Sequence, residues 1–371
     1  MRTDTTFFNL AIGAVVFSLA GCMPPLDDPA DPDPRDSGVD SSADTGDSAR
    51  DTGDTARDTG DTGEPQGQEP PSAEAFGALS GEARAGLVQT FSVDAGEYSS
   101  VEGTQGTTVM FSANSLLDQD GAVVAGDIEI ELIELYAKGN MLVADVPSVG
   151  RNNSGEMAQL VSGGEHFVSA TQDGEALSLA DPMFLMAPAE NTGGADTEMV
   201  LFRGEDPAGA GVGIDDEVVW VEEKQDRDGF GIEGDGDGVG GSYWMLSSEF
   251  GWTNIDKWWS DPRPKTTIHV DVPDGWDDEN CAVYLSYDGE PTALAQFDTY
   301  DSDTELFSEH YGLIPIGLKV HVIFVTELDG DWSYAIQSQT IEENHVTVFA
   351  SADDFIETDT DGLVDVINAL P

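Results

Sequence analysis

A run of acidic repeats near the N-terminus limits what the first part of this chain can fold into. Residues 44–63 read DTGDSARDTGDTARDTGDTG, and apart from prolines no apolar residue larger than Ala occurs between Val39 and Phe76. Such a segment cannot bury a hydrophobic core, so it is expected to be disordered. The Asp-Thr-Gly triplet is also found in aspartic proteases, but their two carboxylates share a proton in a packed, partly dry site. Nothing here can cover the triplets, which argues against a protease.

The first 22 residues have the pattern of an export signal. An apolar stretch, Phe7 to Ala20, follows Arg2 and is too short to span a bilayer comfortably. It ends in a tetrapeptide that resembles the lipobox of bacterial lipoproteins, consisting of Leu19, Ala20, Gly21 and Cys22. The resemblance implies that residues 1–21 are a signal peptide and that Cys22 is lipidated, so that the partner of this segment is a membrane. Because Met23 rather than Asp follows the cysteine, it also implies the outer membrane.

Residues 22–75 are predicted to be the lipidated cysteine and a disordered acidic tether. Between Met23 and Ala75 there are 15 acidic and 3 basic residues, a net charge of −12. A flexible coil of this length spans on the order of 40 Å, and more where like charges repel. The tether can therefore hold a folded domain clear of the membrane surface.

The remainder of the chain is also strongly acidic. From Phe76 onward there are 57 acidic and 10 basic residues. This charge excludes a nucleic-acid partner, since phosphate backbones require a basic footprint. Two interpretations remain for the acidity: a solvated surface suited to a salty environment, or the binding of divalent cations.

The sequence after the tether predicts a mainly β protein. Ile128, Ile130 and Leu132 alternate with acidic residues, with Glu134 placed on the polar side, and Asp173-Gly174 is expected to form a hairpin turn. We expect two β-sandwich-like modules, 76–221 and 243–371, separated by a Gly- and Asp-rich linker or loop at 222–242. The last residues, DGLVDVINALP, predict a short C-terminal helix.

One segment of the first module resembles a known family. The stretch GTTVMFSANSLLDQDGAVVAGDIEIELIELY is similar to ZU5-type β-modules, and other runs are similar to those of uncharacterised bacterial surface lipoproteins. The resemblance covers roughly residues 88 to 350 and departs from the ZU5 pattern after about residue 200. It implies a β architecture for residues 76–221 and supplies no catalytic residue.

Two groups of residues are candidates for ligand binding. Calcium prefers several oxygen ligands from a flexible Gly-containing loop, which makes calcium a candidate cofactor at four aspartates of the linker: Asp226, Asp228, Asp235 and Asp237. Exposed tryptophans can stack on sugar rings, which makes a glycan a candidate ligand of Trp252, Trp258 and Trp259. The alternatives are solvated acidic loops for the first group and core packing for the second.

The sequence contains no recognisable catalytic motif, and we expect a protein that is not an enzyme. Its role is expected to be binding or structural at the cell surface, with a glycan or another envelope protein as partner. One alternative is a calcium-dependent glycan-binding or adhesion protein. The other is an envelope hydrolase, which would show a concave cluster of carboxylates with shifted pKa values. Cys281 is expected to be a small buried residue, since Cys22 is the only other cysteine.

Overall fold

The structure, a computed structural model, describes residues 68–206, 209, 212–224, 229–234, 240–309 and 313–371. Three α-helices occur among them: α1 (Ala73–Gly86), α2 (Lys138–Val143) and α3 (Thr360–Asn368). The strands of the N-terminal half are β1 (Gln89–Asp94), β2 (Ser99–Glu102), β3 (Thr108–Phe111), β4 (Leu116–Leu117), β5 (Asp127–Leu135), β6 (Val149–Arg151), β7 (Met157–Gln172), β8 (Glu175–Ala176), β9 (Ser178–Leu179), β10 (Met183–Pro188), β11 (Val200–Glu205), β12 (Val219–Glu222), β13 (Phe230–Glu233), β14 (Ser242–Ser247) and β15 (Gly251–Trp258). The strands of the C-terminal half are β16 (Lys265–Thr266), β17 (His269–Asp271), β18 (Cys281–Tyr287), β19 (Leu294–Gln296), β20 (Thr299–Asp301), β21 (Leu306–Ser308), β22 (Ile314–Pro315), β23 (Lys319–Leu328), β24 (Asp331–Thr340), β25 (Val346–Val348) and β26 (Ile356–Thr358).

Most of these strands form four sheets. Sheet 1 has the order β13-β14-β10-β3-β2, and sheet 2 has the order β1-β5-β7-β15-β11-β12-β6 with β8 on β7. Sheet 3 has the order β19-β18-β23-β24-β26, and sheet 4 has the order β20-β21-β17-β25. The prediction of a mainly β, sandwich-like fold is confirmed.

The sheets are arranged in layers around three hydrophobic cores. A first core lies between sheets 1 and 2, and a last core between sheets 3 and 4. A middle core joins the other faces of sheets 2 and 3 with residues from all three helices. Sheets 2 and 3 are therefore covered on both faces, which explains why β7, β18 and β23 are almost entirely buried.

Strand β5 shows how alternation places side chains in two cores. Ile128, Ile130 and Leu132 lie in the first core, as the sequence predicts, while Ile133 and Leu135 lie in the middle core. The expectation that Glu134 lies on the polar side is wrong: the residue is 2% exposed. Its carboxylate accepts hydrogen bonds from the backbone N–H groups of Gln105 and Thr107, at 3.0 and 2.9 Å. The loop between β2 and β3 thus covers Glu134, a position that the local sequence pattern assigns to solvent.

Several predicted local features are present. Strands β7 and β8 form the hairpin, with Asp173 and Gly174 both at positive φ in its turn. The C-terminal helix is α3, which buries Leu363 and Ile367 and is capped by Asp359, whose carboxylate accepts from Gly362 N–H at 2.8 Å. Cys281 is buried.

The change from one pair of sheets to the other comes after Trp258. Strands β14 and β15, which follow the predicted linker, pair with β10, β7 and β11 of the N-terminal half. Strand β13 lies inside the predicted linker and pairs with β14. Two helices, α1 and α2, were not predicted, and α1 begins at Ala73, within the segment predicted to be the tether.

We expect Gly164→Ala to destabilise the fold strongly. Gly164 lies in β7 at φ +132°, and an added Cβ would be 2.6 Å from Cε1 of Tyr136. Backbone strain and overpacking together should lower the free energy of unfolding by about 2 to 4 kcal/mol. Chemical denaturation measures this change. The control is Gly155→Ala, which has a φ of +82° but nothing within 4 Å, and should cost about 1 kcal/mol. Equal losses for the two variants would contradict the packing argument.

Candidate functional site

Many of the predicted site residues lie outside the described part of the chain. These are the lipobox residues, Leu19, Ala20, Gly21 and Cys22, and the candidate calcium ligands, Asp226, Asp228, Asp235 and Asp237. In the part that is described, no group of three or more His, Cys, Asp or Glu side chains is arranged to hold a metal ion.

The three candidate tryptophans have different environments. Trp252 is 1% exposed and packs on Phe167, with ring centroids 5.3 Å apart, while its indole N–H donates to the carbonyl of Gly213 at 3.2 Å. Trp252 therefore has no ring face for a ligand in this structure, and the core-packing alternative applies to it. Trp258 is half-buried, with its ring edge-on to Phe202 at 5.3 Å.

Trp259 lines a cavity of about 160 Å³ at a place where strands of both halves meet. Its ring centroid is 4.9 Å from that of Tyr287, and Nζ of Lys265 lies 5.2 Å from the ring centroid. Gln159, on β7, also lines this cavity. Of the three candidates, Trp259 is the one in a setting suited to a ligand.

A second, larger cavity is lined by acidic side chains. Its volume is about 430 Å³, and it lies where the loops before β12 and β18 meet the loop after α2. Five carboxylates line it: Asp145, Asp215, Glu217, Asp278 and Asp298. We refer to this cavity as the acidic cleft. Sequence reasoning missed it, because its residues come from segments far apart in the chain.

Hydrogen bonds fix the positions of side chains that line the acidic cleft. Asp145 accepts a hydrogen bond from the hydroxyl of Tyr284 at 2.6 Å. The buried guanidinium of Arg84 donates to the carbonyls of Ala144 and Ile214, at 2.6 and 2.8 Å. Partial burial, together with the neighbouring Asp145 and Asp298 carboxylates, raises the pKa of Glu217. This carboxyl is therefore easier to protonate than a carboxyl in free solution.

A group of four polar residues is buried where β7 pairs with β15. Asn254 lies opposite Glu165 and Asp256 lies opposite Ser162, with two residues of β7 facing one residue of β15 between these pairs. This bulge turns Ser162 and Glu165 to the same face, although residues three apart in a regular strand point to opposite faces. We call these four residues the buried quartet.

Hydrogen bonds connect the buried quartet. The hydroxyl of Ser162 donates to Oδ1 of Asn254 at 3.1 Å. The amide nitrogen of Asn254 donates to Asp256 Oδ2 at 2.7 Å and, more weakly, to Glu165 Oε1 at 3.5 Å. The remaining carboxyl oxygens, Glu165 Oε2 and Asp256 Oδ1, are buried with no hydrogen-bond partner.

Burial strongly favours the protonated form of both acids. It raises the pKa of Glu165 well above the usual value, and the nearby Asp256 carboxylate raises it further. Burial also raises the pKa of Asp256, although the hydrogen bond from Asn254 opposes this shift. Since both carboxyls are sealed from solvent, the buried quartet is a structural feature of the core. The sequence signal that could have revealed it is the Gly163-Gly164 pair within a strand pattern.

On the opposite face of β7, His166 is also buried and neutral. Burial lowers its pKa to about 4. Its Nε2 lies 3.1 Å from the hydroxyl of Tyr136, which in turn lies 2.6 Å from the hydroxyl of Thr107. Tyr136 belongs to the first core, so these contacts connect His166 and Thr107 to that core.

Comparisons with known proteins give no match: no family model matches the chain, and neither a curated protein nor a solved structure is found to be similar to it. Within the described ranges, none of the helices has the length and apolar character needed to cross a membrane.

We predict that the buried quartet makes stability fall as the pH rises. In the unfolded chain both acids titrate near pH 4, whereas their pKa values in the folded state are raised. Their contribution is fully present below about pH 4 and is lost as the pH rises through the folded-state pKa values, with a slope of up to about 1.4 kcal/mol per pH unit for each group.

Glu165→Gln tests this prediction because an amide cannot ionise. The free energy of unfolding, measured by denaturation between pH 5 and pH 8, should fall less steeply in this variant than in the wild type. Glu129→Gln, at an exposed position on β5, is the control and should leave the slope unchanged. If Glu165→Gln has the wild-type slope, Glu165 is not protonated in the folded protein.

Proposed function

We propose that this protein is a lipoprotein of the bacterial envelope, anchored in the outer membrane through Cys22, and that its folded part has a non-enzymatic binding or structural role at the cell surface. The observation that carries the proposal is the sequence Leu19-Ala20-Gly21-Cys22 directly after an apolar stretch. An acidic tether follows, and the described structure begins close to its end, with Ser72 capping α1. This order of segments is suited to holding a folded domain away from a membrane.

The structure of the folded part supports a binding role. Glu165 and Asp256, the carboxyls that burial perturbs most, are fully buried and cannot meet a substrate that arrives from solvent. The cavities of about 160 and 430 Å³ lie at places where the two halves meet. Each is therefore lined by elements that the layered packing holds in place, and such preorganised sites lose little conformational entropy on binding.

Lipidation at Cys22 predicts the result of a labelling experiment. When the protein is expressed in a Gram-negative host with labelled fatty acid, Cys22→Ser should abolish incorporation of the label, since a hydroxyl at this position cannot form the thioether. Cys281→Ala is the matched control: this thiol is buried and should not be acylated, so the variant should be labelled like the wild type. A labelled Cys22→Ser protein would show that another residue is acylated, and an unlabelled wild type would rule out the lipid anchor.

A second candidate function is suggested by the acidic cleft. The raised pKa of Glu217 beside two other carboxylates is what an envelope hydrolase would need for a general acid. The same arrangement also arises wherever acidic side chains crowd together in a strongly acidic protein. We therefore favour binding, and activity measurements distinguish the two functions.

If the protein is not a hydrolase, the full-length protein will release no reducing ends from glycan strands or from tetrasaccharides. In that case Glu217→Gln should change only stability, raising the melting temperature at neutral pH by removing repulsion from Asp145 and Asp298. The rise should be smaller in high salt, which screens these charges. Hydrolysis by the wild type that is lost in Glu217→Gln would instead establish the enzyme.

A further inference from the structure

The cavity beside Trp259 is built from both halves of the protein. Gln159 comes from β7 of sheet 2, Lys265 from β16 and Tyr287 from β18 of sheet 3. Leu313, 40% exposed, and Ile314 complete the rim. The site is therefore held by elements of two sheets rather than by one flexible loop.

Trp259 differs from most other tryptophans in the chain. Five of the seven indole N–H groups donate to a protein acceptor, namely those of Trp220, Trp252, Trp258, Trp276 and Trp332. The indole N–H of Trp259 has no acceptor among the described residues, and its half-buried ring borders the cavity. A buried or half-buried indole N–H usually finds a partner, so this donor is available to a ligand.

Gln159, another residue of the cavity lining, carries an unpaired acceptor. Gln159 is 6% exposed, and its Nε2 donates to the carbonyls of Ser148 and Leu160, at 2.8 and 2.7 Å. Because both carbonyls can only accept, the orientation of this amide is fixed. Its Oε1 is left buried with no hydrogen-bond partner. A buried acceptor of this kind is costly when unpaired, by about 1 to 3 kcal/mol, and a ligand donor would recover that energy.

These groups together define the chemistry of a ligand. It needs an O–H donor for Gln159 Oε1, an acceptor for Trp259 Nε1 and a C–H face that packs against an aromatic ring. Lys265 lines the cavity and Asp261 beside it is paired with Arg263, so a cationic ligand gains little there, and the high negative charge of the whole chain disfavours an anionic one. A neutral ring with hydroxyl groups meets all of these conditions.

We propose that the cavity lined by Gln159, Trp259 and Lys265 binds one pyranose ring of a neutral saccharide. The ring packs against Trp259, and a sugar hydroxyl donates to Gln159 Oε1. Another oxygen of the sugar accepts from Trp259 Nε1 or from Lys265. This inference rests on the proposed binding role and names the ligand class for that role.

The experiment is a titration of full-length lipidated protein with cellotetraose and with chitotetraose, followed by calorimetry. The protein is held in a detergent without a sugar headgroup, so that the detergent does not compete. We expect millimolar or tighter binding of at least one of the two sugars, and Trp259→Ala should weaken it at least about tenfold, or about 1.4 kcal/mol. Trp258→Ala, which changes the neighbouring tryptophan outside the cavity, is the matched control and should bind like the wild type.

Two further measurements test the role of the Trp259 ring and the dependence of binding on calcium. Trp259→Phe retains a ring but lacks the indole N–H, and should show intermediate affinity even if Trp259→Ala fails to fold. Binding should be the same in calcium and in chelator, since Asp261, the acidic residue of the cavity lining, is paired with Arg263. The proposal is overturned if neither sugar binds the wild type, if the folded Trp259 variants bind as tightly as the wild type, or if binding requires calcium. Fatty-acid labelling is independent of these titrations, so failure of the saccharide proposal is distinguishable from failure of the lipid anchor.

Discussion

Burial of strand β7 on both faces is the constraint on which the rest of the structure depends. This strand, Met157–Gln172, pairs with β5, β6, β8 and β15, and its two faces supply residues to the first and middle cores. If sheet 2 were covered on one face only, sheets 1 and 2 would form a complete two-layer sandwich. Since β7 carries apolar side chains on both faces, the second face must be covered too, and three helices and sheet 3 provide that cover.

Covering both faces forces polar groups into the interior, and each needs a partner. Lys138, at the start of α2, is fully buried, and its ammonium donates to Ser286 Oγ at 3.0 Å and to the Leu370 carbonyl at 2.9 Å. These bonds tie α2 to sheet 3 and to the segment after α3. Arg84 acts in the same way for α1, since its guanidinium donates to backbone carbonyls. The middle core is thus fixed by directional contacts as well as by apolar packing, which favours one relative position of its elements.

Local features of the fold could be predicted from the sequence, and features that depend on the middle core could not. The alternation of Ile128, Ile130 and Leu132 and the final amphipathic helix are encoded within a few residues each. Helix α1 contains three glycines and is held by Arg84, which contacts carbonyls 60 and 130 residues away in the chain. No local pattern contains that information, so the helix was missed.

Dependence on distant contacts also explains why the sequence could not separate the buried candidate residues from the accessible ones. Trp252 and Trp259 are seven residues apart, and the sequence gives both the same aromatic character. Whether each is buried depends on which sheet covers it, and this is decided by strands from distant parts of the chain. The buried quartet depends on a bulge that shifts the register between β7 and β15. The paired glycines hint at such a bulge, but the polar partners come from a strand some 90 residues later.

The charge of the protein bears on what its cavities can bind. With 57 acidic and 10 basic residues from Phe76 onward, the surroundings repel anions over distances set by the ionic strength. A cation would be attracted first to the acidic cleft, where five carboxylates converge. At the Trp259 cavity, Lys265 lies beside the aromatic rings and Asp261 is paired with Arg263, so the local negative potential is lower. A neutral hydroxylated ligand interacts only weakly with the charges of either cavity. Its binding is therefore decided by ring packing and hydrogen bonds. The two cavities are therefore suited to ligands of different charge.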